Sequence, residues 1–144
     1  MVLYIPTESR QSTSNGNFQN EEEIATPIKN EIYVKDDLIG YAMALSSKYG
    51  LDWNKFNSVI QQESGYNPLA GFENGSYGIA QIMPTSWPMC GWETDKRSDP
   101  YSSLDCMAEQ WYKGNEYLWD VYCNIYYDEK CINLRGLFVG FLNN

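Results

Sequence analysis

The sequence predicts a mainly α fold in a single domain, and three stretches of apolar residues at helical spacing carry that prediction. Leu38, Ile39, Ala42, Leu45 and Tyr49 make the first stripe, and Phe56, Val59, Ile60 and Glu63 the second. Leu104, Met107, Ala108, Trp111, Leu118, Trp119 and Tyr122 make the third and longest. A chain of 144 residues is long enough for one hydrophobic core and too short for two.

Taken in order, residues 1–33 read as a polar tail or linker. The run from Ser12 to Asn17 and the acidic Glu21-Glu22-Glu23 have little to bury. Such a segment can also order on binding, which would suit an arm that joins a larger virion or envelope assembly. The globular part, 34–144, starts with a helix capped at Asp36-Asp37 and stopped by Gly50. Asp52 caps the next helix, which ends at Glu63 because Gly65 and Asn67-Pro68 are turn signals. Residues 65–82 are rich in glycine and turns, and Pro84 and Pro88 bracket a short helical turn carrying Trp87. Ser102 to Asp105 matches a capping box before the third stripe, which Gly114 and Asn115 kink or split. Beyond Ile125 the pattern supports only helical turns tied down through Cys131.

Composition removes several chemistries. The chain has no histidine, which excludes Ser-His-Asp and Cys-His nucleophilic sites and His-ligated zinc. A net charge of −9 argues against nucleic acid and anionic lipid as partners. Cys90, Cys106, Cys123 and Cys131 form no CxxC pair, so no cofactor or metal is expected. An even number of cysteines in a small domain suggests two disulfides and an oxidising compartment. Local spacing favours Cys90–Cys106 and Cys123–Cys131, among three connectivities that four cysteines allow. The opening MVLYIPTESRQ lacks the basic start and apolar run of a signal peptide, and no stretch is apolar enough to span a membrane. An extracytoplasmic location would then be reached after loss of a leader or inside an assembly. Aromatic residues make up 15% of the chain; most must be core, although aromatic faces also stack on sugar rings.

Glu63 is the chemically pointed residue. A carboxylate that closes an apolar stripe is costly to bury in its charged form and so keeps its proton to higher pH. A general acid working near neutrality needs that property. The turn that follows puts Glu63 at a helix end where a substrate could reach it; the plainer alternative is an exposed residue in a fraying last turn.

The blocks Glu63-Ser64-Gly65-Tyr66-Asn67-Pro68 and Gly75-Ser76-Tyr77-Gly78-Ile79-Ala80-Gln81-Ile82-Met83-Pro84-Thr85 resemble the lytic transglycosylases, relatives of goose-type lysozyme that cleave peptidoglycan. Asp99-Pro100-Tyr101 with Met107-Ala108-Glu109 adds a weaker match, and the resemblance covers about 36–122. It implies a lysozyme-like domain with a small irregular hairpin or loop beside the active-site cleft. It also implies Glu63 as the catalytic acid and base, braced by Ser64, with substrate bound by Ser64, Ser76, Tyr77, Gly78, Ile79, Gln81 and Met83. Gln81 could donate to and accept from a sugar, or brace its own loop. The family's late Ala-Tyr-Asn segment has no counterpart; Tyr122, Tyr126 and Tyr127 are candidates to replace its tyrosine.

The reaction implied is cleavage of the β-1,4 MurNAc–GlcNAc bond without water, leaving 1,6-anhydroMurNAc ends on peptidoglycan glycan strands. Hydrolysis by a goose-type lysozyme is the first alternative, with Glu73 as candidate second carboxylate and Asp95 and Asp99 weaker ones. The second is a non-catalytic glycan-binding or structural module of a phage virion or secretion apparatus.

Overall fold

The computed structural model describes residues 2–4 and 31–132, and these are mainly helical. The chain divides into two compact units, 1–40 and 41–144. In the first, β1 (Val2–Tyr4) pairs antiparallel with β2 (Glu31–Tyr33), with Leu3 opposite Ile32. The two strands thus bound the stretch that composition reads as a tail; its polar runs, like the end of the chain after 132, lie outside the described residues.

Helix α1 (Lys35–Tyr49) starts before the expected Asp36-Asp37 cap. The Val34 carbonyl accepts from the amides of Asp37 and Leu38, which places both aspartates inside the first turn, where negative charge favours the helix dipole. Helix α2 (Trp53–Glu63) has the expected boundaries, with the Asp52 carboxylate accepting from the Lys55 amide. Helix α3 (Pro100–Tyr112) is capped by Asp99 and not by Ser102. Pro100 suits the first helical position, and the Ser102 hydroxyl donates back to the Asp99 carboxylate.

The third apolar stripe is not one helix. Gly114, at φ +86°, turns the chain left-handed, so α3 stops and a 3-10 turn, Glu116–Leu118, precedes helix α4 (Asp120–Ile125). The break leaves Leu118 exposed while Trp119 and Tyr122 stay buried. Periodicity could not show this, because two helices out of register can still place their apolar residues inward.

The core of the second unit is built from the inner faces of these helices. Phe56, Val59 and Ile60 of α2, Leu104, Met107 and Ala108 of α3, and Ile79 and Ala80 from the turn-rich segment are fully buried. Burial of each large side chain contributes about 1.5–3 kcal/mol. Trp111 centres the cluster, edge-on to both Phe56 and Tyr122. Along α3, Tyr41 of α1 meets Tyr101 and donates to Asp105, and Tyr49 meets Tyr112, so α1 and α3 run in the same direction.

Helices α2 and α4 pack against each other. Lys55, near the start of α2, lies 5.1 Å from the ring of Tyr126, just past the end of α4. Disulfides join Cys90 to Cys106 and Cys123 to Cys131, the pairing that local spacing favours. The first fastens the Trp87–Cys90 turn to α3, and the second closes the chain after α4.

Candidate active site

Glu63 is the last residue of α2 and continues the face that buries Phe56, Val59 and Ile60. It is half-buried, and among the described residues none hydrogen-bonds its carboxyl group. Burial, and secondarily the negative charge of Asp120, push its pKa up from 4.5 to about 7. Asp120 is the first residue of α4.

The chain then turns sharply. Gly65 and Tyr66 both have positive φ, 62° and 66°. Tyr66 tolerates this conformation because its side chain is buried and its hydroxyl donates to Asn57 at 2.7 Å. The Ser64 hydroxyl donates to the Ile79 carbonyl at 2.7 Å and accepts from the Tyr66 amide at 3.1 Å. One side chain thus ties the end of α2 to the glycine-rich segment and fixes the backbone on which Glu63 stands.

That segment is a small irregular hairpin. Tyr77 bridges to Gly71 on one side and to Ile82 on the other. Gln81 staples it from within. Its amide nitrogen donates to the carbonyls of Ala70 and Gly78, and its oxygen accepts from Ser76. Of the two roles open to Gln81, bracing is the one these bonds describe. Both amide hydrogens are committed to the loop, so its remaining capacity toward a ligand is as an acceptor. Ile79 and Gly78 are buried, Ser76 and Tyr77 are half-buried, and Met83 is exposed.

Arg97 holds the hairpin from behind, a part that sequence reasoning missed. Its side chain is 2% exposed, and its guanidinium donates to the carbonyls of Glu73, Gly75 and Ile82. Asp95 neutralises it through a forked contact, which lowers the Asp95 pKa. Only arginine offers enough planar donors for this set. Gly78 has φ +86°, and a Cβ there would run into the Arg97 carbonyl, so the hairpin and the Arg97 segment pack at glycine-only distance. Nothing in Lys96-Arg97-Ser98 distinguishes Arg97 from a surface cation, because its acceptors are carbonyls 15 to 24 residues away.

The other acids have structural positions. Asp95 serves Arg97, Asp99 caps α3, and Glu73 lies exposed on the hairpin turn. Tyr122 is buried and donates to Asp128 at 2.6 Å, and Tyr126 packs on Tyr122 under Lys55. Tyr127 is exposed. None of the three hydrogen-bonds Glu63. Trp119 supplies a further anchor, its indole nitrogen donating to the Ala80 carbonyl at 2.8 Å. A lone tryptophan in an apolar stripe reads as core, so its polar edge gave no warning in the sequence.

Among the described residues no helix is long and apolar enough to cross a membrane. No solved structure matches the chain at a significant level. The transglycosylase SLT domain family matches residues 40–126, which hold α2 with Glu63, the hairpin, the Arg97 clamp and α4. With more than half of its length matched, the chain belongs to the transglycosylase SLT domain family, the lysozyme-like lytic transglycosylases that act on peptidoglycan.

Proposed function

We propose that Glu63 is the single acid–base residue of a water-free cleavage of the MurNAc–GlcNAc bond. The observation that carries this reading is its half-buried carboxyl group, which keeps its proton to about pH 7 at a helix end. In the first step that proton goes to the glycosidic oxygen as the bond from C1 breaks, and the N-acetyl group of the substrate assists. In the second, the Glu63 carboxylate takes the proton of the C6 hydroxyl as that oxygen attacks C1. The product carries a 1,6-anhydro ring, Glu63 is again protonated, and no water is consumed. A hydroxyl within the same sugar has a high effective molarity, which makes a separate nucleophilic carboxylate dispensable.

Three features of the surroundings support this assignment. Ser64 holds the helix end in place, and the hairpin beside it is stiffened by Gln81 and Arg97. The exposed Glu73 occupies a turn of that hairpin. Peptidoglycan lies outside the cytoplasm, and two disulfides suit an oxidising compartment there.

Hydrolysis is the second reading, because the negative charge of Asp120 acts on Glu63 and glycosidases commonly use paired carboxylates. Mass spectrometry of muropeptides released from purified peptidoglycan separates the two. Products one water lighter than hydrolysed ones, absent with Glu63→Gln, are expected. Hydrated reducing ends would replace the reading with a lysozyme, and an undiminished Glu63→Gln would remove Glu63 from it. Glycan binding with no products from the unaltered protein would leave a non-catalytic module.

A further inference from the structure

The start of α2 borders a cavity that the chemistry at its other end does not use. The cavity measures about 240 Å³, room for one pyranose ring, and Asp52, the cap of α2, and Lys55 in its first turn line it. Lys55 and Glu63 stand on one helix about 12 Å apart along its axis, so the cavity is separate from the catalytic carboxyl group. Its walls are aromatic. The side chains of Tyr49, Trp111, Tyr112 and Tyr122 face it, and Tyr112 is largely exposed. Ring faces beside hydrogen-bonding groups fit a sugar, which has an apolar C–H face and a polar rim.

The charged groups narrow the ligand further. Asp52 and Glu116 contribute carboxylates, Glu116 being held by Lys130 at 3.1 Å, and Lys55 contributes an ammonium 6.0 Å from the Tyr122 ring. An anionic ligand would meet two acids and a cationic one would meet Lys55, whereas a neutral ligand with both donors and acceptors suits all three. Trp111 adds a specific requirement. It is 5% exposed, and its buried indole nitrogen has no hydrogen-bond acceptor among the described residues. A buried donor left unpaired is costly, and the amide carbonyl of an N-acetylated sugar is an acceptor that would relieve it.

We propose that this cavity is a second saccharide site, which takes an N-acetylglucosamine ring of the glycan strand away from the bond that is cleaved. The inference uses the family's peptidoglycan substrate and does not depend on the role of Glu63. Binding there holds the strand equally before and during the reaction, so it lowers KM and leaves kcat unchanged.

The test follows tryptophan indole resonances in 1H–15N spectra of the unaltered protein, with N-acetylglucosamine as the probe and acetate as the comparison. Trp111→Phe identifies the Trp111 resonance by its loss; should that variant not fold, sequential assignment identifies it. The sugar is expected to shift this resonance saturably, and acetate is not. Tyr112→Ala, at an exposed position and so expected to fold, should weaken the sugar about fivefold and raise KM on peptidoglycan with kcat retained. A Trp111 resonance that the sugar leaves unmoved, or an affinity that Tyr112→Ala does not change, overturns the inference. A tighter response to acetate than to the sugar makes this a carboxylate site and overturns it too. Activity or inactivity of Glu63→Gln bears on the acid alone and leaves each of these readings standing.

Discussion

Replacing Glu63 by glutamine should stabilise the protein while abolishing catalysis, and the gain should appear only as pH rises. The folded state holds the Glu63 proton to about pH 7, whereas the group titrates near 4.5 when unfolded. Below 4.5 both states are protonated, and Glu63 adds nothing to pH dependence. Between 4.5 and 7 the unfolded chain has released a proton that the folded chain retains, so stability falls as pH rises, and above 7 the loss is complete. A full shift of this size corresponds to roughly 3 kcal/mol. Glu63 is only half-buried, and screening by the adjoining solvent reduces this to about 1–2 kcal/mol. Glutamine has nearly the same shape and no charge, so it escapes the penalty. Urea unfolding of both proteins from pH 4.5 to 8 is the assay. The two should coincide at the acid end and diverge in favour of Glu63→Gln by about 1–2 kcal/mol at pH 8, or about 3–6 °C in Tm. Glu73→Gln on the exposed turn is the control and should stay within about 0.5 kcal/mol at every pH. A Glu63→Gln protein less stable than its parent at pH 8, or a difference that ignores pH, would refute the account of the site.

Two further outcomes follow from the frame around the site. Arg97→Met leaves the carbonyls of Glu73, Gly75 and Ile82 without their donor and should cost about 3–5 kcal/mol in urea unfolding, and Arg97→Lys should recover only part of it. Reduction of the disulfides, which span 16 and 8 residues, should lower stability by about 2–3 kcal/mol each, measured as a fall in Tm with added dithiothreitol.

Much of this protein was legible in order along the chain. The α2 stripe, its Asp52 cap and its end at Glu63 are local facts, set by helical spacing, a side-chain cap and turn-forming residues. The same locality makes an acid that closes an apolar face visible as a candidate catalytic group, and it favours the disulfide pairs that form. Errors also arose locally where two signals competed. Ser102 and Asp99 both suit a cap, and Pro100 decides for Asp99, because proline fits the first helical position and Ser102 then bonds back to the cap.

The environment of the site was decided by tertiary structure. Arg97, Trp119 and Asp120 matter through partners 15 or more residues distant: hairpin carbonyls, the Ala80 carbonyl, and the end of α2. Long-range burial turns an apparent surface arginine into a buried clamp, and the packing of α4 on α2 lets the charge of Asp120 act on the acid of α2. The sequence by itself determined where the acid stands; the tertiary structure decided how tightly it holds its proton, because that depends on solvent and charge brought in by distant parts of the chain.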